Sequence, residues 1–278
     1  MHTILEDFSA NALLNAMEVN LQEAWVRFGR WIGANVHEEP GLFWFDSAYS
    51  FQLANGIVRT QFPLDGQEQK LDARIQQLTA EHVAMACMVG PSTRPADLGN
   101  RLEAHGWVLD AAPGMAVDLQ TLSEQPRPTS PLTIERVHDT EMLKTWLRVM
   151  MIGSEIPEAG LNILLDIVSQ QGYKDSPSAH YYLGWLDGVP VATSLLFLAG
   201  GVAGIYNVAT LLAFRGKGIG SALTVVPLLD ARALGYRIGV LQSSPMGFNL
   251  YKRLGFKQYC TFYAYFWQAA NLDSSEKE

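Results

Sequence analysis

The chain has 278 residues, of which 48% are apolar and 17% charged, a composition that excludes an intrinsically disordered protein. Its 28 acidic and 20 basic residues give a formal net charge of -8, which argues against a surface that follows nucleic-acid phosphates. The length predicts one or two domains. Neither Cys87 nor Cys260 belongs to a C-x-x-C pair or has a zinc-like spacing to histidine, so we expect reduced thiols and no metal site.

The first residues and one long uncharged segment bear on location. Residues 1–7 have neither a basic region nor an apolar run, unlike a secretory signal, and we expect a cytoplasmic protein. Residues 189–214 carry no charge and are long enough to span a bilayer. However, the pair Gly200-Gly201 lies within this segment and favours two adjacent strands joined by a turn. No membrane partner is therefore expected.

A proline-rich stretch divides the chain. Residues 123–131 contain three prolines and almost no apolar side chain, which predicts a linker between residues 1–122 and residues 132–278. In the first part, periodicity and turn signals predict helices at residues 14–28, 70–78 and 96–104. They predict strands at residues 42–45, 50–54, 57–62 and 82–89, with Asn55-Gly56 as a hairpin turn between the second and third.

The second part shows a clearer alternation of strands and helices. Strands are predicted at residues 132–137, 180–186, 189–198, 202–212, 237–242 and 258–267. Helices are predicted at residues 141–150, 161–168, 246–254 and from a glycine-rich loop to residue 234. Short turns join the three central strands, so these should be antiparallel neighbours. The predicted fold class is α+β, an α/β sandwich with a mixed, mostly antiparallel sheet flanked by helices.

The glycine-rich loop lies between a predicted buried strand and a predicted helix. It consists of Arg215, Gly216, Lys217, Gly218, Ile219, Gly220 and Ser221. Glycines allow positive φ and close approach of a ligand, and the free N–H groups at a helix start favour an anion, so the loop predicts a phosphate or pyrophosphate site. A dinucleotide motif would need glycine in place of Ser221, and a Walker loop would need Ser or Thr after Lys217.

The remaining pattern, Arg-x-x-Gly-x-Gly after a strand of an antiparallel sheet, resembles that of the GCN5-related N-acetyltransferase (GNAT) superfamily. Arg215, Gly218 and Gly220 match it, and the resemblance covers the second part of the chain. It implies that backbone N–H groups of the loop hold the pyrophosphate of acetyl-CoA. It also implies that the preceding strand pairs with the pantetheine amides through Val208, Ala209 and Thr210. No metal is implied.

A second motif lies downstream, where Tyr251, Gly255 and Phe256 are similar to the family's Tyr-x-x-x-Gly-Phe. Tyr251 aligns with the family tyrosine that protonates the leaving CoA thiolate. A phenol with an ordinary pKa of ~10 is protonated at neutral pH and can serve as that acid. Many members have an asparagine seven residues before this tyrosine, and this chain has Ser244 there, so the resemblance assigns the cofactor contact at that position to a hydroxyl.

The resemblance leaves the general base open. Family members often use a carboxylate on the strand that binds pantetheine, but residues 203–208 contain neither Asp nor Glu. Glu155, Glu158 and a water molecule are the alternatives, with Tyr206 and His180 as further candidates. The two glutamates are more readily explained as solvated loop residues.

The first part of the chain repeats the second in a weaker form. Leu102 to Trp107 aligns with the Tyr251 motif, with Leu102 in place of the tyrosine. The acidic segment Asp65 to Gln69, with one glycine, takes the place of the glycine-rich loop. Without donors for a pyrophosphate and without the tyrosine, this part should neither bind CoA nor catalyse. The resemblance therefore predicts two GNAT-like units in tandem, of which the first is degenerate.

The leading hypothesis is an N-acetyltransferase that moves an acetyl group from acetyl-CoA to a primary amine of a small molecule or peptide. Direct attack is expected because the nucleophile motif Gly-x-Ser-x-Gly is absent. The alternative is a non-catalytic acyl-CoA-binding regulatory protein, which the missing strand carboxylate favours and Tyr251 disfavours. An interaction scaffold would leave the glycine-rich loop without a purpose. No nucleic-acid partner is expected, and the sequence decides neither the acceptor nor whether the chain forms a homodimer.

Overall fold

A computed structural model describes residues 3–62, 68–81, 84–122, 131–156 and 158–268. The helices are α1 Ala10–Trp31, α2 Glu68–Glu81, α3 Leu98–Ala104, α4 Thr140–Gly153, α5 Glu158–Gln171, α6 Ile219–Ala233 and α7 Phe248–Arg253. The strands are β1 Asn35–Glu39, β2 Leu42–Asp46, β3 Gly56–Thr60, β4 Ala84–Val89, β5 Val108–Asp118, β6 Leu132–Arg136, β7 Ala179–Leu186, β8 Val189–Ala199, β9 Val202–Thr210, β10 Ile238–Gln242 and β11 Lys257–Gln268.

The chain forms two compact units, and each is assembled from two separate segments. Unit 1 comprises Met1–Leu21 and Pro113–Tyr259, and unit 2 comprises Gln22–Ala112 and Cys260–Glu278. The units therefore differ from the three consecutive segments expected from the sequence. The reason is strand pairing, because β5 is hydrogen-bonded to β10 of unit 1 and β11 to β4 of unit 2. The predicted linker lies outside the described residues except for Pro131.

Unit 1 is built on a mixed sheet in the order β5-β10-β9-β8-β7-β6. Its neighbouring strands are antiparallel except β9 and β10, which are parallel, so the predicted fold class is confirmed. Helix α6 packs on this sheet through Leu223 and Leu228, which share one core cluster with Leu196 and Ile205 of the strands. Helix α4 lies against β8, where Trp146 Nε1 donates to the carbonyl oxygen of Ser194 at 3.1 Å.

Helix α4 illustrates how local sequence sets an element of unit 1. The carboxylate of Asp139 accepts a hydrogen bond from the backbone N–H of Met142 at 2.8 Å, which is an N-cap. Trp146, Leu147 and Met150 then recur at helical spacing and are buried. Capping and periodicity are both local signals, which is why this helix is predicted correctly.

Unit 2 contains strands in the order β1-β2-β3-β4-β11, with β3 and β4 parallel. The predicted hairpin at Asn55-Gly56 is wrong. Gln52–Ala54 forms a short 3-10 turn, and β3 pairs with β2 and β4 instead. Asn55 is buried, and its side chain bonds the backbone of Ser47, Tyr49 and Ala84. The asparagine stabilises a folded loop here and does not form a two-residue turn.

The uncharged segment at residues 189–214 contains the whole of β8 and β9 and the turn between them, as predicted. Among the described helices, none has the length and apolar character that crossing a membrane requires. Within the same described residues, no group of three or more His, Cys, Asp or Glu side chains is arranged to hold a metal ion.

Candidate active site

The parallel strands β9 and β10 separate soon after they meet. In the described residues, their pairing joins Ala203 to Gly239 and Gly204 to Val240 and extends no further, although β9 continues to Thr210. The opposite edge of β9 stays paired with β8 as far as Thr210. The edge of β9 that faces β10 beyond Gly204 is therefore available to a ligand, since backbone N–H and C=O groups require partners.

A β-bulge in β9 accompanies this separation. Thr193 faces Ala209 and Leu195 faces Tyr206, so one residue of β8 lies opposite two residues of β9. Asn207 adopts φ +51, and its carbonyl oxygen accepts a hydrogen bond from Thr193 Oγ1 at 2.9 Å. A bulge of this kind bends the strand that carries it. The predicted residues Val208, Ala209 and Thr210 lie on the bulged, free-edged part of β9.

The glycine-rich loop leads from β9 into helix α6. Gly216 and Gly218 both adopt φ +78, a conformation that side chains disfavour, and α6 begins directly afterwards at Ile219. No side chain caps this helix start. The N–H groups of Ile219, Gly220 and Ser221 therefore belong to the first turn, which has no acceptors inside the helix. With the positive end of the helix dipole, they form an anion-binding surface.

The two cations of the loop are held by neighbouring protein groups. Lys217 Nζ lies 5.3 Å from the ring centre of Phe214. Arg215 donates from Nε to the carbonyl oxygen of Thr210 at 3.0 Å and from Nη2 to that of Gly153 at 2.7 Å. It also contacts Glu155 Oε1 at 3.2 Å.

The carbonyl contacts of Arg215 matter more than its ion pair. The Glu155 side chain is 73% exposed, and ion pairs with such exposed groups contribute about 0–1 kcal/mol. A hydrogen bond from a charged donor to a partly buried carbonyl contributes about 1.5–3 kcal/mol. Arg215 thus ties the end of β9 to the end of α4, and its role in the structure is to shape the loop.

The end of β9, the start of α6 and helix α7 meet at Gly220. A Cβ placed on Gly220 would lie 3.5 Å from Leu250 Cδ1 and 3.9 Å from Thr210 Oγ1. Tyr251 follows Leu250 on α7, and its ring packs edge-on against Phe256 with centres 5.8 Å apart. The predicted loop, strand and tyrosine are therefore brought to one place by the fold.

Tyr251 is 8% exposed and lies in the core cluster of unit 1. Burial raises the pKa of its hydroxyl to about 12, while a hydrogen bond with Thr224 lowers the pKa by less. Thr224 Oγ1 donates to the carbonyl oxygen of Gly220 at 2.8 Å, which links the tyrosine to the first turn of α6. At neutral pH the phenol is protonated and can act as a proton donor.

Ser244 is exposed and its hydroxyl serves its own loop. The Oγ atom accepts a hydrogen bond from the backbone N–H of Gly247 at 3.2 Å, immediately before α7. Gly247 is needed beside the tyrosine, because a Cβ there would lie 2.6 Å from Tyr251 Cε2. Ser244 therefore shapes the turn that positions α7.

The candidate bases are dispersed. Glu155 is bound by Arg215, and Glu158 is exposed at the start of α5. The hydroxyl of Tyr206 donates to Asn20 Oδ1 at 2.7 Å, and burial raises its pKa. His180 is buried, which lowers its pKa, and the charge of Arg136 lowers the pKa further. The Tyr206 hydroxyl is already used as a hydrogen-bond donor to Asn20.

Residues 145–256 match the model of the acetyltransferase (GNAT) family. This segment is a GNAT domain. It contains the separated strands β9 and β10, the glycine-rich loop and Tyr251, and the family and fold together support acyl transfer. A search of curated proteins found no match.

Solved structures extend the likeness of the GNAT domain to most of the chain. A GCN5-related N-acetyltransferase from Kribbella flavida is 19% identical with a TM-score of 0.66, covering 91% of this chain and 97% of that one. One from Sphaerobacter thermophilus is 17% identical with a TM-score of 0.56, covering 96% and 97%. A tandem GNAT protein from the clavulanic acid biosynthesis pathway is 13% identical with a TM-score of 0.52, covering 82% and 78%. At these identities the likeness concerns the fold, and it supports the tandem form.

Three residues near the GNAT site carry no sequence signal. Thr224 contacts Tyr251 from another helix, and Asn20 reaches β9 from the beginning of the chain. Gln242 ends β10 where the two strands have separated, and its Nε2 is buried without a hydrogen-bond partner among the described residues. The partners of Thr224 and Asn20 are distant in sequence, and the burial of Gln242 depends on the fold, so only the folded chain identifies these three residues.

Proposed function

We propose that the protein is an N-acetyltransferase that moves an acetyl group from acetyl-CoA to a primary amine by direct attack. The observation that carries the proposal is the free edge of β9 beside the uncapped start of α6. The donor molecule has amide groups that can pair with a strand edge and a pyrophosphate that can bind helix N–H groups. In this chain the strand edge of β9 is followed by the N–H groups at the start of α6, in the same order as the pantetheine arm and the pyrophosphate of the donor molecule.

In this proposal the pantetheine amides pair with Val208, Ala209 and Thr210 on the free edge of β9. The pyrophosphate binds the N–H groups of the loop from Gly216 to Ser221, of which Gly218 precedes α6. The side chain of Arg215 stabilises this loop by donating to the carbonyl oxygens of Thr210 and Gly153. Ser244 shapes the turn before α7 by accepting from Gly247, and its O–H remains a donor for the cofactor in this proposal.

The proposed chemistry uses one side chain directly. The amine nitrogen forms a bond to the thioester carbonyl carbon, the carbon–sulfur bond breaks, and the sulfur takes the proton of the Tyr251 hydroxyl. The amine gives its own proton to water, since β9 carries no carboxylate and Tyr206 is already hydrogen-bonded, and the Tyr251 phenolate then takes a proton back from solvent. Positioning of the two substrates supplies most of the acceleration.

The second candidate function is a non-catalytic acyl-CoA-binding regulator. The absence of a carboxylate from β9 favours it. The linked Tyr251, Thr224 and Gly220 disfavour it, because a binding site alone does not require a buried phenol beside the helix start. Turnover distinguishes the two, since only the enzyme releases free CoA thiol when a panel of amines, amino acids and peptides is supplied.

Acetyl-CoA is expected to raise the thermal unfolding midpoint of the full chain. At 100 times its dissociation constant, a ligand that binds only the folded state stabilises it by about 2.7 kcal/mol. The measurement is thermal unfolding with and without acetyl-CoA, with adenosine diphosphate as a control that lacks the pantetheine arm. A chain whose midpoint does not move at millimolar acetyl-CoA would exclude the proposed site.

Unit 2 has the same parallel pair of strands, but the edge beside it is occupied. The parallel pairing of β3 and β4 begins at Gly56, which pairs with Ala86, just as that of β9 and β10 begins at Ala203. Thr60 lies four residues after Gly56, so it is the counterpart of Asn207, which lies four residues after Ala203. The carbonyl oxygen of Thr60 accepts from the N–H of Arg94 at 2.9 Å, and the N–H of Phe62 donates to the carbonyl of Arg94 at 3.1 Å.

Calorimetric titration is therefore expected to give one acetyl-CoA per chain. The segment at Arg94 uses the peptide groups that a second pantetheine arm would need, and Leu102 is a fully buried core residue where unit 1 has its tyrosine. The loop at residues 65–67 lies outside the described residues. Two equivalent sites in the titration would show that unit 2 is not degenerate.

A further inference from the structure

We propose that Asn20 is a positioning residue of the active site, which holds β9 away from β10 by anchoring Tyr206. The inference rests on the proposed function, because it concerns the strand edge assigned there to the pantetheine arm. Asn20 lies in the part of α1 that belongs to unit 1 and is 0% exposed. No motif of the GNAT domain includes it, since the family match begins at residue 145.

Both the nitrogen and the oxygen of the Asn20 carboxamide form hydrogen bonds. Its Nδ2 donates to the carbonyl oxygens of Phe197, Ala199 and Val202 at 3.1, 2.9 and 3.3 Å, which fixes the turn between β8 and β9. Its Oδ1 accepts the hydroxyl proton of Tyr206 at 2.7 Å. One buried side chain is thus bonded to the turn at the start of β9 and to the last residue before the bulge.

Gly204 makes room for this contact. A Cβ at Gly204 would overlap Asn20 Oδ1 and lie 2.7 Å from Tyr206 Cε2. Gly204 is also the last residue of β9 that pairs with β10. The position where the strands separate is therefore the position where β9 has no side chain and the Asn20–Tyr206 pair lies against it.

Two neighbouring parallel strands that separate leave peptide groups without partners, and some other interaction must offset that cost. Arg215 holds the far end of this segment through the carbonyl of Thr210. The Asn20–Tyr206 bond holds its near end, one residue before the bulge at Asn207. Between these two anchors lie Val208 and Ala209, whose edge the proposed ligand uses.

The experiment compares the full-length variants Tyr206→Phe, Asn20→Ala and Tyr182→Phe with the natural chain. Tyr182→Phe is the matched control, because the Tyr182 hydroxyl also donates a 2.7 Å hydrogen bond to a side chain of unit 1, Asp230, but on β7 and α6. For each chain, acetyl-CoA affinity is measured by calorimetry and amide hydrogen exchange is followed across β9.

Tyr206→Phe and Asn20→Ala are expected to weaken acetyl-CoA binding about tenfold, the equivalent of one lost buried hydrogen bond. Amides of residues 205–210 should exchange about tenfold faster in both variants. Tyr182→Phe should lower the unfolding midpoint but leave both quantities within about twofold of the natural chain. Tyr206→Phe tests the bond without removing side-chain volume, in case Asn20→Ala does not fold.

An affinity unchanged in Tyr206→Phe, or reduced equally in Tyr182→Phe, would overturn the inference. If the natural chain itself does not bind acetyl-CoA, the proposed function fails, and hydrogen exchange still decides whether Asn20 anchors β9. Exchange in residues 205–210 that is the same in Tyr206→Phe and the natural chain would then reject the anchor on its own.

Discussion

Replacing Tyr251 by phenylalanine is expected to reduce kcat about 100-fold or more, the usual contribution of a positioned general acid. The side chain is 8% exposed and its ring packs against Phe256, so phenylalanine keeps the packing and removes only the hydroxyl. Without that proton donor, the thiolate must leave as an anion. Steady-state rates at saturating acetyl-CoA and amine measure the effect.

The pH dependence of this acid has a definite sign. Burial raises the Tyr251 pKa to about 12, above the ordinary phenol value of ~10. The protonated form therefore persists through pH 10, and kcat should not fall on the alkaline side between pH 8 and 10 because of this group. The raised pKa also stabilises the fold below pH ~10, and this contribution is lost as pH rises towards 12.

Acetyl-CoA affinity is the control for Tyr251→Phe. The phenol acts on the leaving group, so the dissociation constant should stay within about twofold while kcat falls. A variant that binds acetyl-CoA normally and turns over at the natural rate would remove Tyr251 from the mechanism. A natural chain that binds acetyl-CoA but acetylates no amine in the panel would favour the regulatory function.

Replacing Gly220 by aspartate is expected to weaken acetyl-CoA binding about 100-fold or more without unfolding the protein. A Cβ at this position meets Leu250 Cδ1 at 3.5 Å, an ordinary contact, so the backbone can keep its helical form. A carboxylate in the first turn of a helix stabilises it by about 0.3–1 kcal/mol. The same charge repels a pyrophosphate at the N–H groups of that turn.

Gly220→Asn separates charge from size, because asparagine has nearly the shape of aspartate and is neutral. We expect Gly220→Asn to weaken acetyl-CoA binding through crowding alone and Gly220→Asp to weaken it at least ten times more. The difference in affinity between the two variants should become smaller at high salt. Calorimetry at two salt concentrations and thermal unfolding without ligand provide the two measurements. Equal affinities in the two variants would exclude an anion at this helix start.

Most elements of unit 1 could be predicted from the sequence because their signals are local. Helix α4 has its cap at Asp139 and its apolar stripe within one segment, and the turn at Gly200-Gly201 separates β8 from β9. The hairpin prediction at Asn55-Gly56 is wrong because non-local contacts decide the structure there. The preference of that dipeptide for a hairpin was overridden by tertiary hydrogen bonds from the Asn55 side chain to Tyr49 and Ala84.

The candidate site divides in the same way. The loop from Arg215 to Ser221 and the motif around Tyr251 are contiguous in sequence, so a pattern of residue types is enough to find them. The partners of Arg215 are Gly153, Glu155 and Thr210, and no pattern around the loop identifies the first two. The motif therefore identifies Arg215, and only the fold shows which protein groups hold its side chain.

The sequence by itself determined the GNAT-like units, the glycine-rich loop and the tyrosine, because each depends on residues that are neighbours along the chain. Only the tertiary structure decided which segments complete unit 1, since strand pairing places Met1–Leu21 and the end of β5 with the GNAT domain. It also decided that β9 leaves β10 after Gly204 and that Asn20 meets Tyr206 there. Hydrogen bonds between residues so far apart in sequence depend on the fold of the whole unit, and short-range residue patterns do not specify them.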